Sequence, residues 1–258
     1  MSSVEHAIDL ENGQSASRTV QPCGVTIRRL TTIDEFAACV DVQRAVWGWA
    51  DLELTPVRLF VLMQHVGGIV LGAHRGDELV GFVNCTPGID RGTPFWHSHL
   101  MGVLPAYRDQ GIGTALKLAQ RDHAVRHGIG SIQWVFDPLE AKNAYLNIAK
   151  LGAIVRRYSV NHYGASSSRL QAGLDSDRVV AEWRLGAADG PAQRRDSGLI
   201  RRVRVPADAQ TLRRVDLPAA RDLQLRLRGQ FLRNLSDGFI VVGCERDGEW
   251  SEYVFHRE

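Results

Sequence analysis

Residues 103–114 read Val-Leu-Pro-Ala-Tyr-Arg-Asp-Gln-Gly-Ile-Gly-Thr, and no other stretch limits the fold of this chain as tightly. An apolar run (Leu100, Met101, Val103) halts at Pro105. Arg108 follows, then Gly111 and Gly113 in the spacing Arg-x-x-Gly-x-Gly, and an amphipathic helix begins at once. A strand that feeds a glycine turn and then a helix aims several backbone N–H groups at one point, and the positive end of the helix dipole adds to them. That is the hardware of a phosphate site. The turn lacks the Gly-Lys-Ser/Thr of a P-loop and the third glycine of the dinucleotide fingerprint. The plain alternative is an ordinary strand–loop–helix turn with incidental glycines.

The flanking segments place this turn in a mixed α/β pattern. Val25–Leu30 alternates like a strand, and Thr31/Thr32 with Glu35 form a capping box that opens a helix to about Trp47. Thr55-Pro56 opens a short helix with Pro at its first position. Gly68–Arg75 and Glu78–Cys85 are strands joined across Gly76-Asp77, and Phe95–Val103 is the next. A helix over Gly111–His127 ends at Gly128; Ser131–Phe136 is a strand; Leu139–Leu151 is a helix ended by Gly152; Ile154–Tyr163 is a strand. Ala165–Asp177 reads as a linker, Val179–Leu185 as a strand, and Gly186–Arg195 (with Asp189-Gly190-Pro191) as a loop. A helix over Leu217–Leu235 and strands Phe239–Glu245 and Glu252–His256 around Asp247-Gly248 complete the chain.

A net charge of +2 argues neither for nor against nucleic acid. The arginines after Arg156 (Arg194, Arg195, Arg201, Arg202, Arg204, Arg213, Arg214) read as solvated faces, so nucleic acid is not an expected partner. Cys23, Cys39, Cys85 and Cys244 lie far apart with no metal-ligand spacing, which fits a reducing cytoplasm and no metal site. Residues 1–22 are polar, with no signal-peptide pattern, and no apolar run spans a bilayer; no membrane is expected.

With these elements in order, the chain resembles the GNAT superfamily of N-acetyltransferases, whose signature Arg/Gln-x-x-Gly-x-Gly/Ala follows the fourth strand. The resemblance covers about residues 24–164 and implies an α/β fold with a mixed sheet splayed between its fourth and fifth strands. The implied division is a tail over 1–22, a GNAT domain over 23–164, and a C-terminal α/β extension over 165–258 packed on it. Phe136-Asp137-Pro138-Leu139, Asn143 and Lys150-Leu151-Gly152 resemble more narrowly a little-characterised bacterial branch of predicted GNAT proteins that carry such an extension.

The resemblance further implies acetyl-CoA as co-substrate. Backbone at Met101, Gly102 and Val103 would pair with the pantetheine arm and polarise the thioester. The amides of Arg108, Asp109, Gln110, Gly111, Ile112, Gly113 and Thr114 would hold the pyrophosphate, with charge from Arg108 and Lys117, and Asn143 would stand near CoA. His97-Ser98-His99 supplies two imidazoles at strand spacing, eleven and nine positions before Arg108, which share a face and titrate near neutrality. This stretch looks like the His-x-His pair of arylalkylamine N-acetyltransferases, so His97 and His99 are the candidate proton relay. Many GNATs place a tyrosine acid four residues before the glycine that ends the next helix; here that position is Ile148. Tyr145, one turn earlier, is the substitute, with Asn147, Tyr158 and Tyr163 further off. Asp137 and Glu140 either bind a cationic amine or, in the case of Asp137, cap the following helix. Trp47, Trp49 and Phe60 are core or an aromatic acceptor wall.

The expected reaction is direct attack of a small-molecule amine on the thioester. The alternatives are O-acylation, a longer acyl donor, a macromolecular substrate, or a non-catalytic acyl-CoA-binding module. The extension reads as acceptor lid, homodimer surface or sheet extension.

Overall fold

The computed structural model describes residues 24–168, 171–186 and 199–258. The expected tail over 1–22, Cys23, and Asp189-Gly190-Pro191 with Arg194 and Arg195 lie outside the described residues.

Strand β1 (Thr26–Arg29) leads into α1 (Ile33–Trp47) through the expected capping box: Glu35 N donates to Thr32 Oγ1 at 3.3 Å, and Glu35 Oε2 accepts from Thr32 N at 3.0 Å. Gly48 ends the helix at φ 62°, a left-handed turn that costs glycine little. Helix α2 (Val57–His65) starts one residue later than the sequence suggests, because Pro56 is its cap rather than its first helical residue. Strands β2 (Ile69–Arg75), β3 (Glu78–Asp90) and β4 (Thr93–Val103) form a long antiparallel meander. After them come α3 (Ile112–Arg126), β5 (Ser131–Phe136) and α4 (Ala141–Ala144), which continues as a π-helical stretch over Tyr145–Lys150.

The remaining strands depart further from expectation. β6 (Ile154–Ser159) stops short of Tyr163, and β7 (Arg178–Arg184) inserts between β5 and β6. β8 (Ile200–Pro206) and α5 (Ala209–Val215) have no counterpart in the sequence reading, whereas α6 (Leu217–Ser236), β9 (Phe239–Asp247) and β10 (Trp250–Arg257) fall where the patterning puts them. Together the strands make one mixed sheet in the order β1-β2-β3-β4-β5-β7-β6-β9-β10-β8.

Alternation along the strands divides the core between the two faces of the sheet. On β2, Val70 faces α1 and α2 in a cluster with Leu30, Phe36, Phe60 and Phe82; Ile69, Leu71 and Ala73 face the opposite layer, which α3, α4 and α6 cover through Leu116, Ile148 and Phe231. Arg202 and Arg204 of β8 point outward against carboxylates of the neighbouring strands: Arg202 pairs with Glu245 and Glu252, and Arg204 pairs with Glu252. No described helix is long and apolar enough to cross a membrane.

Two local features create the site. β4 and β5 are the parallel pair in the sheet, and they pair only at Trp96↔Ile132 and His97↔Gln133; beyond those positions they diverge. On the other edge of β4 the register against β3 jumps from Cys85↔Ser98 to Asn84↔Leu100, so His99 is an inserted bulge residue. Buried Asn84 supports the bulge: its Oδ1 accepts from Leu100 N at 2.8 Å.

Candidate active site

The glycine turn takes the form that its sequence demands. After a short 3₁₀ turn over Pro105–Tyr107, Asp109 (φ 61°) and Gly111 (φ 81°) adopt left-handed backbone, and α3 starts at Ile112 with no side-chain cap. Its first N–H groups therefore lack an intrahelical partner and a capping side chain, so the donors stay available to an anion. A pyrophosphate fits this turn. Arg108 instead folds back, its Nε donating to the Val103 carbonyl at 3.2 Å. Asp109 is tied to Lys142 of α4 at 3.1 Å, both exposed. Gln110 Nε2 donates to the Ala106 carbonyl at 3.3 Å. Gly102 packs closely on α1: a Cβ there would meet Trp47 Cη2 at 3.0 Å.

A cavity of about 520 Å³ opens in the gap between β4 and β5. His99, Leu100 and Met101 line it from β4, Trp134 to Phe136 from β5, Asp137 from the turn after it, Asn143 from α4 and Asn147 from its π-helical continuation. His99 thus reaches the wall. His97 does not line the cavity; its ring stands 6.0 Å from that of His99. Burial pushes His97 down to about 4, helped by the charges of His99, Lys117 and His162, and burial also lowers His99. Both imidazoles are neutral at pH 7 and can accept a proton. Thr55 Oγ1 lies 3.4 Å from His99 Nε2 and orients that ring.

Two expected site residues stand elsewhere. Tyr145 does not line the cavity; its ring sits 5.8 Å from both the Lys150 ammonium and the Arg246 guanidinium. The reason is the π turn. Leu151 N bonds to Leu146 O, five residues back, so the extra residue per turn rotates the face and presents Asn147 to the cavity while Ile148 is buried in the core. Lys117, expected as surface charge beside the phosphate, is fully buried and also lines the cavity. Of the other tyrosines, Tyr158 is held by Asp177 at 2.6 Å, and Tyr163 lines the cavity with its pKa raised by burial.

The opposite wall was the least legible. Trp47 and Trp49, brought together by the Gly48 turn, stack at 4.6 Å and line the cavity; Phe60 is core. From the stretch read as a linker, Ala165, Ser166, Ser168, Gln171 and Ser176 line this side. Glu53 accepts from Ser166 Oγ at 2.7 Å and from Ser167 N at 2.6 Å, and Ser167 Oγ accepts from Ala50 N at 2.8 Å. Asp137 is not the cap of α4, which starts after Glu140 with no side-chain cap; its Oδ1 accepts from Leu139 N at 2.8 Å in the preceding turn, while its Oδ2 pairs with Arg213 of α5 at 2.7 Å. Arg213 also meets Glu140 at 3.3 Å, and Gln210 donates to Glu140 at 2.8 Å. Burial, with the Asp137 charge, raises the Glu140 pKa. No cluster of ligands suited to a metal ion occurs among the described residues.

A family model for the Acetyltransferase (GNAT) family matches residues 35–148. Among solved structures, the Salmonella typhimurium protein yncA with its cofactor acetyl-CoA is 18% identical, with a TM-score of 0.51 over 66% of this chain and 99% of that one. A GNAT-family protein of Desulfovibrio desulfuricans (14% identity, TM-score 0.50, 63% and 99% covered) and the ribosomal-protein-S18-alanine N-acetyltransferase of Escherichia coli (16%, 0.50, 64% and 96%) share the fold. A search of curated protein sequences returns no match. Splayed sheet, uncapped glycine turn and family match agree, and residues 35–148 carry an acetyltransferase domain of the GNAT family.

Proposed function

We propose that this acyltransferase moves acetyl from acetyl-CoA to the amine of a small molecule by direct attack on the thioester. One observation carries the reading: His99, a neutral imidazole set by a β-bulge, stands in the wall of a cavity that opens where β4 leaves β5. A bulge re-aims a side chain at the cost of a ladder position, and such devices gather at functional sites. In this reading the amides from Arg108 to Thr114 hold the pyrophosphate. Met101 to Val103 run beside the pantetheine arm, where a backbone N–H polarises the carbonyl, and Asn143 flanks the donor. CoA supplies the activated acyl group; the chain positions it and provides the proton acceptor.

The acceptor lies between the Trp47–Trp49 stack and the Asp137–Arg213–Glu140 group. A volume of about 520 Å³ suits a small molecule. Because Arg213 and Gln210 belong to residues 165–258, the extension acts as the acceptor wall of the domain over 23–164. The described cysteines are free and buried, which suits a reducing cytoplasm.

Calorimetry with acetyl-CoA, followed by a panel of primary amines and alcohols read by thiol release and product mass, tests the reading. N-acetylated product is expected. Ester product would move the chain to O-acylation, turnover only with longer acyl-CoAs would change the donor, and tight binding with no turnover would make it a binding module.

A further inference from the structure

Lys117 is the buried charge that the reading above leaves unused. Its Nζ donates to Ser98 Oγ at 2.8 Å and to Gln120 Oε1 at 3.3 Å, and it stands 3.8 Å from the centre of the Trp134 ring. Ser98 and Trp134 are the first residues of β4 and β5 beyond their last paired positions, so Lys117 sits in the crotch of the splay. The charged or titratable groups that face it are Cys85 from β3 and His97 from β4; β5 presents only the indole. A cation taken out of water without a carboxylate costs several kcal/mol. Burial brings Lys117 down to about 7, so at neutral pH it both holds and gives up a proton.

We propose that Ser98 and Lys117 form a proton-donating pair for the leaving thiolate. The inference rests on the acetyl-transfer reading. As the amine nitrogen bonds to the acyl carbon, the C–S bond breaks and its electron pair goes to sulfur. Sulfur takes the Ser98 hydroxyl proton, and Ser98 takes one from Lys117 Nζ. Lys117 is left neutral and regains its proton from solvent once the products leave; the proton lost by the amine goes to His99. Ser98 lines the cavity on the face covered by α3 and α4, where Ile148 and the displaced Tyr145 supply no acid.

The test uses Lys117→Met and Ser98→Ala in the full chain. With acetyl-CoA and an acceptor, each variant loses about 100-fold in kcat with CoA affinity unchanged. A second readout needs no acceptor: the thiol of bound CoA is titrated by its thiolate absorbance, and its curve shifts in both variants relative to wild type. Lys117→Met also melts higher than wild type at pH 7, since it removes an uncompensated buried cation; a purely structural lysine would predict lower melting. Coincident thiol titrations overturn the relay and leave the acetyltransferase reading intact. Failure of the wild type to bind CoA overturns both. Acetyl found on Ser98 or Lys117 by mass spectrometry would overturn the relay in favour of covalent transfer.

Discussion

The glycine turn and the cavity are built by different means. The turn, our proposed donor end, is a single run of about a dozen residues in which backbone does the work: two left-handed positions, an uncapped helix and a glycine packed against Trp47. The acceptor end is assembled from at least five separated segments by side chains, with Glu53 holding the 165–168 loop, Arg213 reaching Asp137, and Arg228 holding Asp177. A backbone device is encoded locally and can be read from spacing. A side-chain assembly depends on partners more than a hundred positions away, such as Glu53 and Ser167. The donor end should therefore fail through one local change to its glycines, and the acceptor end through loss of any of several distant ties.

The largest effect is expected from Gly111→Asp. It forces a side chain onto φ 81° and puts a carboxylate at the helix N-terminus proposed to hold the pyrophosphate. Like charges brought together cost several kcal/mol, so acetyl-CoA affinity should fall by about 1,000-fold or more in calorimetry. Equal affinity for both proteins would remove the donor end from the comparison.

Next is Arg228→Ala. Asp177 is buried and accepts from Arg228 Nε at 2.8 Å, from Tyr158 Oη at 2.6 Å and from Asn161 N at 3.0 Å. Removing the cation strands a buried carboxylate and should cost about 3 kcal/mol in denaturant unfolding. Acceptor KM should rise more than CoA affinity falls, because residues 165–168 and 171–177 lie on the proposed acceptor side, away from the glycine turn. A parallel loss of both would show that the two ends are not separate.

The relay gives the third. Replacing His97 and His99 together by Gln should lower kcat/KM by about 100-fold at pH 7. Because burial depresses both imidazoles, the wild type keeps its proton acceptor well below the ordinary histidine range and loses it as pH falls through the lowered values. The acid limb of kcat/KM should lie below pH 6.5 in the wild type and vanish in the double variant. An unchanged profile would exclude both residues.

Much of the fold was legible because its determinants are local. The Thr32–Glu35 box, the Gly76-Asp77 hairpin and the helix over 217–236 fall where patterning puts them. Lys117 was misread, although a signal was present: with Gln120 and Ala124 it occupies the buried stripe of α3, and helical spacing alone could have turned it inward. The displacement of Tyr145 carried no such signal, since counting back from Gly152 assumes 3.6 residues per turn and the π stretch breaks that count. β8 was passed over because arginines hid its alternation; Val203 and Val205 face inward while Arg202 and Arg204 meet carboxylates on β9 and β10.

The smallest predicted effect is the sharpest test of what the donor end is made of. Lys142 and Asp109 are paired at 3.1 Å on the rim of the glycine turn, with 69% and 76% of their side chains exposed. An ion pair so placed contributes at most about 1 kcal/mol and is screened by salt. Lys142→Ala should therefore weaken acetyl-CoA binding by no more than about fivefold, and the difference should shrink further as ionic strength rises. If backbone N–H groups hold the pyrophosphate, that modest dependence on an exposed cation at the rim follows, because the donors of α3 remain when Lys142 is gone. A loss from Lys142→Ala as large as that from Gly111→Asp would mean that side-chain charge does the holding. The donor end would then be an assembly of the same kind as the acceptor end, with the glycines serving only to let Lys142 approach.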